Sequence, residues 1–203
     1  MLSEIKTYCD QLIKEFDQIP PLRKEQLGKL TEYVSSRLVL NQEIRLIYVC
    51  THNSRRSHFG QVWGKVAASY YQIENISTYS GGTEATAFHP NAIAALKRVG
   101  FRIEPDSEKV NPIYKVVYDD NDPAIKCFSK VYDDPANPTS EFAAIMTCGH
   151  AESNCPFIPE VDLRIAITYE DPKAFDNTSQ QDSMYDERCR QIALEALYVF
   201  SGI

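Results

Sequence analysis

A chain that runs Leu46-Ile47-Tyr48-Val49-Cys50 and then Thr51-His52-Asn53-Ser54-Arg55-Arg56-Ser57 has few ways to fold. The apolar and aromatic run reads as a strand buried on both faces. It stops at a cysteine. A short polar loop follows, closed by Arg56 and Ser57. Beyond the loop, Phe59, Val62, Trp63, Val66 and Ala67 recur at three- and four-residue spacing, the mark of one helix face. Strand, polar loop and helix is the layout in which backbone N–H groups gather around an anion at a helix start. The cradle comprises Thr51, His52, Asn53, Ser54, Arg55, Arg56 and Ser57, with the Cys50 sulfur at its floor. The Arg56 guanidinium offers a planar fork to two oxygens of a bound oxyanion.

Such surroundings turn a thiol into a nucleophile, because loop amides, a helix N-terminus and an arginine all favour thiolate. Ser57 is placed to donate a hydrogen bond to the sulfur. A buried structural cysteine followed by a basic loop is the plainer alternative, and the cysteine–arginine spacing by itself is weak evidence. The strand, the closing serine and the amphipathic helix together favour the nucleophile.

The remainder of the 203 residues predicts one domain with a sizeable core. A net charge of −7 and a pI near 5.1 argue against a general binder of nucleic acid or of membrane surfaces. No apolar run reaches membrane-spanning length, and the first residues lack the pattern of a secretory signal, so a cytoplasmic location is expected. Six cysteines, at 9, 50, 127, 148, 155 and 189, read as thiols of a reducing compartment, some of them catalytic.

Residues 1–42 predict two helices around the break at Pro20-Pro21. The first carries Leu2, Ile5, Tyr8, Cys9, Leu12, Ile13 and Phe16, and the second Leu22, Leu27, Leu30, Val34, Leu38 and Leu40. This segment reads as a helical extension packed on a main domain that spans 43–203. In that domain Ile73 to Tyr79 predicts a second strand and Ser80-Gly81-Gly82 a turn. A helix is entered at His89-Pro90 and stopped at Gly100. Phe101-Arg102-Ile103 reads as a short extended piece, and 113–118 with 124–132 as a β-hairpin. Phe142 to Met146 and Leu163 to Ile167 are further strands, and Met184 to Phe200 the last helix. Strands alternating with helices predict a three-layer α/β/α fold with a mainly parallel central sheet. Ligands on such sheets sit beyond the C-terminal strand ends, where Cys50, Cys148 and Asp171 all fall.

Cys148 and Cys155 have six residues between them. A disulfide needs its Cα atoms roughly 4.4–6.8 Å apart, and a helical rise of about 1.5 Å per residue separates these by more. A bridge that forms only after local rearrangement suits a redox cycle. Inert thiols, or a zinc site built from Cys148, His150 and Cys155, are the other readings, although the spacing matches no usual zinc pattern. Asp171, followed by Pro172, lies at the mouth of the predicted anion pocket, where a carboxyl group serves as general acid for a leaving oxygen. An Asp-Pro pair is also a common loop starter.

Taken together, these residues resemble the low-molecular-weight protein-tyrosine-phosphatase-like family, and within it the thioredoxin-coupled arsenate reductases. Cys50, Thr51, Asn53, Ser54, Arg56 and Ser57 match the nucleophile loop, and Thr147-Cys148 through Cys155-Pro156 match the reductases' cysteine pair. Ser80-Gly81-Gly82-Thr83-Glu84-Ala85 and Pro90-Asn91-Ala92-Ile93 look like the family's middle segment, and the family's acid falls on Asp171. The resemblance implies arsenate reduction by a relay through Cys50, Cys148 and Cys155, with Arg56 and Asp171 assisting. It further implies arsenate or a phosphate-like oxyanion as ligand and a thioredoxin-type reductant as partner. Phosphotyrosine hydrolysis through a phosphocysteine is the alternative, and a non-catalytic oxyanion-binding module the third. There are departures from the family. His52 stands where glycine is usual, and Arg55 replaces a cysteine. Gln61 replaces a glutamate that helps some relatives bind potassium, and Lys173-Ala174-Phe175 follow the Asp-Pro where phosphatases carry tyrosines. No cofactor or metal is expected, and the sequence leaves the oligomeric state open.

Overall fold

The computed structural model describes residues 1–149, 151 and 158–203. Its centre is β1 (Ile44–Cys50), which contains the apolar run Leu46–Val49. β1 pairs in parallel with β2 (Ile76–Gly82), from Ile44 opposite Ile76 to Cys50 opposite Gly82. On its other side it pairs in parallel with β6 (Phe142–Met146), from Leu46 opposite Ala143 to Val49 opposite Met146. β7 (Val161–Ala166) completes a four-stranded parallel sheet of order β2-β1-β6-β7.

Because side chains alternate along a strand, β1 feeds two cores. Ile44, Leu46 and Tyr48 pack with Phe59, Trp63 and Val66 of α3 (Arg56–Tyr70) and with Ile192, Leu197 and Phe200 of α5 (Gln181–Ser201). Ile47 and Val49 face the other way, toward Ala144, Met146, Cys148, Ala151 and Ile158. A parallel sheet buried on both faces, with helices against it, is the α/β architecture expected.

The N-terminal residues join the first of these cores. α1 (Ser3–Leu12) buries Ile5, Cys9 and Leu12, and α2 (Pro21–Val39) buries Leu27, Leu30 and Val34. Leu22 and Leu40, expected on the apolar face of the second helix, are 70% and 65% exposed. Leu22 sits in the first turn and Leu40 at the C-cap, both off the stripe that reaches the core. α4 (Pro90–Val99) starts and stops as its sequence predicts. The His89 side chain accepts from the Asn91 N–H, and Gly100 adopts a φ of 116°, which ends the helix in the left-handed conformation.

Two local readings change. Ser80, Gly81 and Gly82 are the last residues of β2 rather than a turn. Ile73, assigned to the strand, instead wraps the end of α3 through its N–H to the Ala68 carbonyl. The predicted hairpin is present as β4 (Tyr114–Val117) against β5 (Ile125–Cys127). A third strand, β3 (Arg102–Pro105), pairs with β4 to make a small antiparallel sheet. Residues 128–132 leave this sheet and run beside the end of β2, where the Gly82 N–H donates to the Lys130 carbonyl and the Tyr132 N–H to the Gly82 carbonyl. Among the described residues no helix is long and apolar enough to cross a membrane.

Candidate active site

β1 ends at Cys50 and α3 begins at Arg56, so the six-residue step from cysteine to arginine is one tight loop. The loop's oxygens are held from outside. The Thr83 N–H donates to the Cys50 carbonyl, Glu84 N–H to Thr51 and His89 N–H to Ser54. The hydroxyls of Thr86 and Ser129 both donate to the His52 carbonyl, at 3.1 and 3.0 Å. A peptide whose oxygen is pinned outward turns its N–H the opposite way, and this is how a loop gathers donors around an anion.

Gly82 is what allows this packing. A Cβ built there would lie 2.3 Å from the Glu84 oxygen, 2.6 Å from the Thr51 oxygen and 2.7 Å from the Asn53 nitrogen. The glycine is therefore set by the close approach of the loop backbone and has nothing to do with chain reversal.

Asn53 is the keystone of the loop. It is fully buried with φ of 43°, in the left-handed region that asparagine tolerates better than most residues. Its Oδ1 accepts the Lys130 N–H at 2.8 Å, and its Nδ2 donates to Ser57 Oγ at 2.8 Å. Ser57 Oγ in turn lies 3.1 Å from Cys50 Sγ. With Asn53 donating to the oxygen, the hydroxyl proton is left for the sulfur, which as a thiolate only accepts. Cys50 itself is 4% exposed.

Arg56 spans from the loop to the β7 side of the cleft. Its Nη1 donates to the Tyr169 carbonyl at 2.8 Å and its Nη2 to Asp171 Oδ2 at 2.6 Å. Its Nε is buried without a partner, a donor left over for a bound oxyanion. Asp171 is fixed from its other side too, where its Oδ1 accepts the Lys173 N–H and caps the short helix Pro172–Phe175. The approach to Asp171 is braced by α2. Arg23 donates to the Thr168 carbonyl at 3.0 Å, stands 4.8 Å over the Tyr169 ring and pairs with the buried Glu195.

The structure gives the remaining loop side chains other commitments. Arg55 donates to Tyr185 Oη at 2.6 Å and to Asp176 Oδ2 at 3.2 Å, which ties the loop to α5. Burial raises the Tyr185 pKa to about 12, with Asp176 adding to the effect. Burial works against the Asp176 carboxylate, yet Tyr185, Arg55, His89 and Asn91 together hold its pKa below the usual value. Ser54 Oγ donates to the Ala87 carbonyl, and His52 lies at the rim, 3.6 Å from Glu84.

Cys148 follows β6 and is 2% exposed. Its sulfur accepts the Ala151 N–H at 3.3 Å and lies 3.5 Å from Thr51 Oγ1. The second sulfur thus touches the residue next to Cys50. Cys155, its expected partner, and His150 lie outside the described residues. Among the described residues no cluster of His, Cys, Asp or Glu is able to hold a metal ion. Gln61 is buried, accepting from Ser80 Oγ and donating to the Thr78 and Lys126 carbonyls.

A cleft of about 410 Å³ lies beside the loop on the Arg56–Asp171 side, with Arg56, Gly149, Tyr169, Asp171, Arg188 and Gln191 among its lining residues. Sequence reasoning passed over Arg188. It is 7% exposed on α5, donates to Gln191 Oε1, and keeps a buried Nε without a partner. A signal was available, since Arg188 falls on the buried stripe between Tyr185 and Ile192 where an apolar residue is the default.

No family model matches the chain. The arsenate reductase of Bacillus cereus (strain AH187) is 30% identical over 128 residues, which are 63% of this chain and 75% of that relative. The chain belongs to the arsenate reductase family. Solved structures share its fold. An arsenate reductase in the phosphate-binding state is 19% identical, with a TM-score of 0.52 over 78% of this chain and 97% of that one. The low-molecular-weight protein tyrosine phosphatase of T. tengcongensis is 15% identical, with a TM-score of 0.53 over 79% of this chain and 100% of that one. The fold is therefore the one these reductases and phosphatases share.

Proposed function

We propose that this protein reduces arsenate to arsenite, and that the Cys50 thiolate is the group that attacks arsenic. An oxyanion in the loop meets the inward N–H groups and the unpartnered Nε of Arg56. Asp171, held by Arg56 at 2.6 Å, protonates the departing oxygen, leaving a Cys50–S–As(V) adduct and water. The Cys148 thiolate then attacks the Cys50 sulfur. The sulfur–arsenic bond breaks, its electron pair stays on arsenic, and arsenite leaves as a Cys50–Cys148 disulfide forms. Cys155 attacks Cys148 next, freeing Cys50. A thioredoxin-type dithiol reduces the Cys148–Cys155 bridge, so two electrons are consumed for each arsenate. The observation that carries this reading is the placement of the Cys148 sulfur 3.5 Å from Thr51 Oγ1, beside the nucleophile.

In this reading residues 1–42 are an extension packed on a catalytic unit of 43–203, and Arg23 is its working contact with the acid-bearing segment. A thiol relay of this kind suits a reducing cytoplasm.

Phosphomonoester hydrolysis is the second reading. It is favoured by the 410 Å³ cleft, which is larger than a bare oxyanion requires, and by an acid poised for a leaving group. The experiment is a side-by-side assay of the purified protein with arsenate plus thioredoxin and thioredoxin reductase, and with an aryl phosphate. Arsenate-dependent consumption of reducing equivalents supports the reductase. Ester hydrolysis with no arsenate-dependent thiol oxidation would replace that reading with the phosphatase.

A further inference from the structure

The segment around β5 shapes a second cavity that the thiol chemistry leaves unused. It is a groove of about 400 Å³ between the edge of β2, α3 and the segment from 123 to 136. Its walls are apolar and aromatic, with Tyr79, Ile125 and Phe128 among them. Into it comes Lys130, whose side chain is among the most buried charges in the molecule at 4% exposure. The ammonium stands 4.4 Å over the Phe128 ring. Among the described residues it has neither a carboxylate within ion-pairing distance nor a hydrogen bond. A charge on a largely buried side chain with only an aromatic face beside it has room for a further partner. Burial lowers the Lys130 pKa, with Cys127 and Asp134 pulling it back in part. Lys65, which also lines the groove, has its ammonium occupied by the Ile76 carbonyl.

We infer that this groove binds a small organic carboxylate, its charge on Lys130 and its apolar body against Tyr79, Ile125 and Phe128. Lys65 and Lys126 also line the groove, so its charge is cationic and suits an anionic head group. The apolar walls exclude a bare inorganic ion as the preferred occupant, and the volume falls in the range of small-molecule sites. The site is separate from the oxyanion loop. Lys130 meets the loop only through its backbone N–H, which goes to Asn53, while its side chain goes to the groove. Both sites are therefore able to fill at once.

The test uses 3-phenylpropionate and its uncharged counterpart 3-phenylpropanamide, with binding followed by NMR titration of the full chain. The acid should bind about tenfold more tightly than the amide. Saturating inorganic phosphate should leave that affinity unchanged. Lys130→Met should remove the preference for the acid, and Ala136→Trp, a change at an exposed lining residue, should weaken both compounds. The acid–amide comparison and Ala136→Trp keep the test decisive even where Lys130→Met fails to fold. Equal affinity for acid and amide, no binding of the acid at millimolar concentration, a preference that survives Lys130→Met, or displacement by phosphate would each overturn the assignment.

Discussion

Replacing Asn53 by alanine should damage the loop in three separable ways. The buried Lys130 N–H loses its acceptor, which costs about 1–3 kcal/mol. The bond to Ser57 Oγ disappears, at about 1 kcal/mol. Alanine must also hold a φ of 43°, at about 1–2 kcal/mol. The sum is about 3–6 kcal/mol of stability, which in a chain of this size lowers Tm by roughly 6–24 degrees. Chemistry suffers as well. With Asn53 gone, the Ser57 hydroxyl is no longer oriented toward Cys50 Sγ. A hydrogen bond to a charged group is worth about 1.5–3 kcal/mol, so the thiolate's reactivity should change by about tenfold to a hundredfold. Asn53→Gly relieves the backbone cost and keeps the other two. Asn53→Asp preserves the acceptor for Lys130 but loses the donor to Ser57 and sets a carboxylate near the sulfur. Urea unfolding gives the stability change. The rate of Cys50 alkylation by iodoacetamide, located by peptide mass spectrometry, gives the reactivity. If Asn53→Ala stays within about 1 kcal/mol of the parent and alkylates at the parental rate, the keystone role is wrong.

Three further outcomes follow from the same geometry. Arg56→Lys keeps the charge but loses the fork to Tyr169 and Asp171 and the spare Nε, so kcat/KM should fall about 10²–10³-fold, and near-parental turnover would show that the arginine does not hold the oxyanion. Asp171→Asn should slow hydrolysis of phosphate esters with poor leaving groups far more than activated ones, whereas equal losses would assign Asp171 to structure alone. The His58 ring lies 4.1 Å from that of Phe88, tilted by 30°, and burial lowers its pKa to about 3. The unfolded chain takes up that proton below its ordinary value near 6.5, so His58 contributes a loss of stability as pH falls from about 6.5 toward 3. Unfolding of His58→Leu across that window should show a slope shallower by up to about 1.4 kcal/mol per pH unit, and an unchanged slope would contradict a buried neutral imidazole.

The parts of the fold legible from sequence were those governed by local pattern. The buried β1 and the apolar face of α3 carry strong periodicity, and both elements stand as read. Features set by distant chain were not legible. Ser80-Gly81-Gly82 reads locally as punctuation, yet Gly82 answers to Thr51 and Asn53, about thirty residues away in sequence. By sequence Arg56 reads as the fork of the loop, with Arg55 beside it as a further ligand of the cradle. Packing shows that Tyr185 of α5 and Asp176, at the end of the short helix Pro172–Phe175, engage Arg55, while Arg56 reaches Asp171. Arg188 and Lys130 are buried charges within otherwise ordinary segments, and burial of a charge is a tertiary fact that composition does not carry. The same limit explains Leu22 and Leu40, which are apolar by sequence and exposed by position.

The account turns on whether the sulfur beside Thr51 resolves the adduct on Cys50. The most direct measurement is a single turnover of Cys155→Ser with one equivalent of arsenate and no reductant, quenched by alkylation and mapped by mass spectrometry of its peptides. The account predicts one arsenite per chain and a disulfide joining Cys50 to Cys148, with no second turnover when thioredoxin is added. Arsenite release with both cysteines recovered as alkylated thiols, or continued turnover of Cys155→Ser with thioredoxin, would contradict the relay.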